Sequence, residues 1–180
     1  MRTRAVKLCL ALLLVAPAGG CGWARRVYLA TTHNIVKVPT GNMVPTINPG
    51  SRAAVDPRAY SERGPARFDI VMFEKSPENV YQDMQLEPGY TLYLKRVIGL
   101  GGETLAVRGG RVYINGAPLE EPFETVPLDP LEEFGPITIP AGEYFLMGDN
   151  RPNSEDGRFW NKPTVRRSQI KGRVVEIFQE

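Results

Sequence analysis

The chain has 180 residues, 42% of them hydrophobic, enough for one domain with a sizeable core. Its net charge of +2 excludes the basic footprint of a nucleic-acid binder, so no nucleic acid is expected as partner. The only cysteines, Cys9 and Cys21, lie in the first 22 residues and His33 is the only histidine, so no disulfide framework, no metal site and no cofactor are expected.

Residues 1–22 differ from the rest. Arg2, Arg4 and Lys7 precede the apolar run Leu8 to Ala16, followed by Pro17, Ala18, Gly19, Gly20 and Cys21. A basic start, a short apolar run and small residues before a break read as an export signal. The stretch from Leu8 to Gly22 is shorter than the roughly 20 residues of a bilayer-spanning helix, so a permanent anchor would need help from its flanks. Small residues directly before Cys21 also resemble a bacterial lipobox, which would make Cys21 a lipidation site; a larger aliphatic residue is usual in place of Ala18. Cleaved signal, lipid tether and helical anchor all put residues 23–180 on the extracytoplasmic side of a cell membrane, because the arginines prefer the inner side. Tyr28, Leu29 and Ala30 are candidates for dipping into that membrane, and His33 reads as a surface residue near it.

From Asn34 onward the pattern is short strands. Ile35 to Val38 alternates and stops at Pro39. A turn-rich stretch, Pro57 to Ala66, leads into a strand over Phe68 to Phe73. Tyr90 to Leu100, rich in aromatic and β-branched residues, is the clearest strand, and Gly99 to Gly102 ends it. The glycine cluster would suggest a nucleotide only if a helix opened after it, and a strand pattern follows instead. Leu105 to Arg108 and Arg111 to Ile114 flank Gly109-Gly110, a two-residue hairpin signal, and Asn115-Gly116 is another. Pro118 to Pro136, proline-rich and acidic, reads as an exposed flap within an insertion at about 101–141. Tyr144 to Met147 is a buried strand running into Gly148, and Gly172 to Phe178 a last one. No amphipathic helix of convincing length is present, so the expected fold is mainly β: antiparallel sheets with a small inserted flap.

Three segments bear on chemistry. The first is Pro39-Thr40-Gly41-Asn42-Met43-Val44-Pro45-Thr46-Ile47, where a turn between two prolines presents one side chain and its backbone N–H, the arrangement a nucleophile with an oxyanion hole needs. The second is Tyr93-Leu94-Lys95-Arg96-Val97-Ile98-Gly99. Side chains alternate faces on a strand, so one of the two adjacent cations points to the more buried face, unless both snorkel to water at an edge. A lysine held among apolar groups loses solvation, and its pKa falls until it can act as a neutral base. The third is Gly148 to Trp160, in which Asp149, Arg151, Asp156 and Arg158 can pair with one another and Ser154 can offer its oxygen to an amine.

Together, in this order, the three segments resemble the signal peptidase I family, membrane-bound serine endopeptidases with a Ser/Lys dyad, over roughly Ile35 to Gln179. The resemblance implies Lys95 as general base, Ser154 as the hydroxyl that orients it, and Asp156 with Arg158 as a supporting ion pair. It implies Thr40 and the backbone N–H of Asn42 as the oxyanion hole, and Met43, Tyr93 and Leu94 as substrate-binding residues. Pro45 and Thr46 match the rest of the nucleophile turn. The partners implied are extended signal-peptide segments of preproteins, bound as an added strand. Asn42 departs from the pattern, since the family has its nucleophilic serine there. Ser51, Phe68, Pro152 and Gly157 are milder departures; Phe68 stands where a glycine usually precedes the aspartate. Two readings follow, a peptide-binding relative with impaired catalysis and a working peptidase with an unorthodox nucleophile. A structural accessory of an export complex is a third.

Overall fold

The computed structural model describes Leu29, residues 32–79 and residues 92–179. The export signal with Cys21, the residues Tyr28 and Ala30, and the first two positions of the Tyr90 strand lie outside the described residues. No helix among the described residues is long and apolar enough to cross a membrane. The fold is mainly β: eleven strands form two antiparallel sheets among the described residues. They are β1 (Asn34–Lys37), β2 (Arg52–Asp56), β3 (Ile70–Glu74), β4 (Leu92–Leu100), β5 (Thr104–Arg108), β6 (Arg111–Ile114), β7 (Ala117–Pro118), β8 (Phe134–Thr138), β9 (Glu143–Met147), β10 (Thr164–Arg166) and β11 (Ile170–Phe178). The larger sheet runs β1-β2-β11-β3-β4-β9-β10 and the smaller β7-β6-β5-β8.

The expected strands are present with ends shifted by one or two residues. Both hairpin signals are turns: Gly109 and Gly110 have φ of 55° and 70°, Asn115 and Gly116 of 51° and 83°, as a two-residue turn with both centres left-handed requires. Strand β2 was not visible in the sequence, because Ala53 and Ala54 carry little strand preference; both are fully buried beside β11 and held by it.

The acidic stretch from Pro118 to Pro136 is not a free flap. Leu128 is buried and Phe123 packs against the core between the two sheets. Val126 pairs with Asn150, its N–H donating to the Asp149 carbonyl. Glu121 and Glu132 reach Arg151 and Arg158. Two of its acids thus face the arginines of the Gly148 loop while Glu120, Glu124, Asp129 and Glu133 stay exposed, so the segment is a strap across that loop.

Phe68 takes φ of 74°, a conformation costly for a bulky side chain and free for glycine. Its carbonyl accepts from Arg96 at 2.9 Å and its ring meets Phe123 edge-on at 5.3 Å. The departure from glycine noted at this position therefore falls where the backbone is left-handed.

Candidate active site

Residues 39–50 leave β1 and return to β2 through a compact turn. Met43 and Ile47, both fully buried, anchor it in the core with Val38, Ala53 and Ile70. The Val44 N–H donates to the Gly41 carbonyl and the Ile47 N–H to the Met43 carbonyl, at 3.2 and 2.8 Å. Asn150 grips the turn from outside: its side-chain amide donates to the Gly41 carbonyl at 2.9 Å and its backbone N–H to the Asn42 carbonyl at 3.1 Å. A Cβ on Gly148 would lie 2.4 Å from the Asn42 carbonyl oxygen and 2.2 Å from the Ser154 hydroxyl, so the turn and the loop meet at that glycine. Among the described residues neither the Asn42 N–H nor the Thr40 hydroxyl donates to an acceptor.

Strand β4 supplies the cations, and both are buried: Lys95 is 1% exposed and Arg96 7%. The alternative in which both snorkel to water is excluded, and the second cation is buried as well, because sheet packing covers both faces of this central strand. Arg96 forms a two-pronged pair with Asp149, Nε at 2.8 Å and Nη2 at 2.6 Å, and stacks on Phe123 with 3.8 Å to the ring centre. The Thr46 hydroxyl donates to Asp149 and accepts from Arg96 in the same network. The Lys95 ammonium makes no hydrogen bond or ion pair among the described residues. Burial pushes its ammonium down to about 8; Asp156 and Glu155 pull it back in part, while Lys75 and Arg158 add to the fall.

The third segment is a loop ordered by arginines. Arg158 pairs with Asp156 (Nε to Oδ1 2.8 Å) and donates to the Arg151 carbonyl at 2.7 Å. Burial works against its charge, but the bonds and charges of Asp156 and Glu132 outweigh it and raise its pKa. The Ser154 hydroxyl, 3% exposed, donates to Asp156 at 2.8 Å, and the other Asp156 contacts include the Gly148 N–H at 3.0 Å. The expectation of purely internal pairing is half corrected. Asp156 and Arg158 pair within the loop, but Asp149 reaches across to Arg96 and Arg151 to Glu121, since an internal Asp149–Arg151 pair would leave the buried Arg96 and the strap's Glu121 unmatched. A Cβ at Gly157 would fall 2.6 Å from the Pro163 carbonyl, so the loop's close approach there depends on the missing side chain.

An apolar groove of about 310 Å³ opens beside the turn, lined by Val36 to Thr40, Asn42, Met72 and Leu92 to Leu94. Among the described residues strand β1 is an edge strand, bonded to β2 on one side only. Strand β4 pairs with β3 over residues 92–96 and with β9 from Arg96 onward. Tyr93 and Leu94 line the groove as expected positions, whereas Met43 is fully buried under the turn and absent from its wall. Sequence reasoning gave no role to Asn150, Glu121, Glu132 or Lys75; only Asn150 had a local signal, as part of the Gly-Asp-Asn-Arg run.

The family model described as "Signal peptidase, peptidase S26" matches residues 2–179. Signal peptidase I of Leptolyngbya laminosa is 40% identical over 141 residues, covering 78% of this chain and 66% of that protein. A probable signal peptidase I-2 of Synechocystis sp. is 34% identical, covering 78% and 61%. A crystal structure of a signal peptidase I from Enterococcus faecalis V583 aligns with 63% of this chain and 98% of that one, at 30% identity and a TM-score of 0.46. The chain thus spans somewhat under two thirds of the length of the curated relatives it matches. With the family match running nearly end to end, the chain belongs to the signal peptidase family, peptidase S26.

Proposed function

We propose that the protein binds the extended signal-peptide segments of exported preproteins as an added β-strand, and that it cleaves them poorly because Asn42 occupies the place of the nucleophile. The observation that carries this reading is an apolar groove walled by the edge strand β1 on one side and by Leu92 to Leu94 of β4 on the other, with Thr40 and Asn42 in its lining. Main-chain bonds to such an edge give affinity and the groove selects side chains. Residues 1–22, as export signal, anchor or lipid-bearing segment at Cys21, would hold the domain at the extracytoplasmic face of the membrane.

The proposed chemistry uses Thr40 and Asn42, which line the groove, together with the buried Lys95 and Ser154. Lys95, desolvated and lowered to about 8, is suited to take a proton. Thr40 and the Asn42 N–H are two donors for a developing oxyanion. Ser154 gives its proton to Asp156, which leaves its oxygen lone pairs for the Lys95 ammonium. A carboxamide at position 42 has its nitrogen lone pair delocalised into the carbonyl and offers no hydroxyl to activate. Its oxygen can instead accept from protonated Lys95, leaving the pocket satisfied but idle.

An active peptidase is the second reading, favoured by the lowered Lys95, since an idle pocket has no need of a neutral amine. The test compares the full chain with its Asn42→Ser variant on a preprotein carrying an Ala-x-Ala site. We expect binding by both and turnover slower by roughly 10⁶-fold in the unchanged chain, as for other lost nucleophiles. Equal rates would sink the impaired reading, and absence of binding in both would leave only a structural role. Lys95→Ala in the serine background is expected to abolish cleavage.

A further inference from the structure

Lys75 is the first residue after β3 and is 5% exposed, yet the chemistry above does not use it. Its ammonium sits 2.5 Å from Glu155 and lies 5.4 and 5.3 Å from the ring centres of Tyr93 and Trp160. Phe73 packs against both rings at 6.0 and 5.8 Å, so the cation rests against an aromatic wall. Val71 lies opposite Lys95 and Phe73 opposite Tyr93 in the ladder. Alternation puts Val71, Phe73 and Lys75 on the face that carries Tyr93 and Lys95, with Tyr93 between the two lysines. Glu155 stands between Ser154 and Asp156. The ion pair therefore touches both supports of Lys95: the strand through Tyr93, and the loop through Glu155.

We infer that Lys75 and Glu155 form a positioning element for Lys95, a buried ion pair that ties the loop bearing Ser154 and Asp156 to the strand face bearing Lys95 while the cation fixes Tyr93 as a wall of the groove. The significance of this for turnover rests on the proposed role of Lys95 as base; the effect on its charge does not. The charged groups around Lys95 are Glu155, Asp156 and Arg158 from the loop and Lys75 from the end of β3. Arg96 on its own strand faces the other way and is committed to Asp149. Of these, Glu155 favours the protonated form and Lys75 opposes it. A merely structural ion pair would affect stability and leave the proton affinity of Lys95 where it is.

The test uses the full chain with 13C-labelled lysine, six residues in all, with the Lys95 signal assigned through Lys95→Met and followed against pH. Lys75→Met is expected to raise the Lys95 midpoint and Glu155→Gln to lower it, each by on the order of half a pH unit. Lys75→Arg should restore the parent value. Shifts of one sign, or none, overturn the inference. In the Asn42→Ser background the acidic limb of the kcat/KM profile should move the same way, and Lys75→Met should raise KM through the loosened Tyr93. If that background does not cleave, the base reading fails while the titration still decides this inference. If it cleaves and the limb stays fixed, the inference alone fails.

Discussion

Lys95 and Arg96 follow one another on β4 at nearly equal burial, but the two faces of the strand receive them differently. On the Arg96 side a carboxylate, a carbonyl, a hydroxyl and an aromatic ring meet the guanidinium. On the Lys95 side the ammonium meets no bonded partner among the described residues, and its nearest acids are already engaged by Arg158, Ser154 and Lys75. One face uses a permanent charge to join β4, the turn and the loop. The other keeps an amine whose charge is easily removed. The choice of residue type fits each task, since a guanidinium stays charged and forks around a carboxylate whereas an amine can lose its proton.

Substitutions on each face should separate the two. The largest effect is expected from Asp149→Asn, which strips a buried guanidinium of its partner; unfolding should show a loss of roughly 3–5 kcal/mol. Lys95→Met should act in the opposite direction. The folded-state proton affinity of Lys95 lies below that of the unfolded chain, so between about 8 and 10.5 the unfolded chain holds the proton and folded stability rises with pH. Below that window the cost of the buried charge is fully present. Lys95→Met should therefore be more stable than the parent at pH 7, by on the order of 2–3 kcal/mol, with the gain fading as pH is raised through the window. Denaturant melts at pH 7 and pH 10 check this, and a gain that does not fade would break the contrast between the faces. Glu121→Gln, which uncouples the strap from the buried Arg151, is expected to cost roughly 1–3 kcal/mol because Glu121 keeps partial solvent contact. The smallest effect belongs to Phe68. Phe68→Gly relieves the left-handed backbone while losing the ring contact with Phe123, and should stay within about 1 kcal/mol of the parent. Phe68→Ala loses the ring without the relief and should melt lower than the glycine variant.

What the sequence disclosed followed from local signals. Paired glycines at 109 and 110 announced a hairpin and Asn115-Gly116 another turn, whereas Phe68, read as the start of a strand, takes a left-handed backbone instead. What it hid is set by distance along the chain. Arg96 finds Asp149 53 residues away, Arg151 finds Glu121 at 30 and Arg158 finds Glu132 at 26. No periodicity encodes such partners, so the acids of 118–136 read as solvated and the arginines of the loop as self-sufficient. Lys75 was hidden for the same reason: a cation after an apolar strand looks like an end cap until Glu155 and two rings close around it.

Asn150 holds the carbonyls of Gly41 and Asn42, and Met43 is locked beneath them, so the backbone of the turn is fixed by groups other than the side chain at position 42. That side chain can be exchanged without reshaping its socket. Asparagine and serine codons of the AAY and AGY sets differ by a single transition at the second base. A serine at position 42 is therefore one point mutation away, on a backbone whose shape Asn150 and Met43 already hold, and the reverse step is equally short.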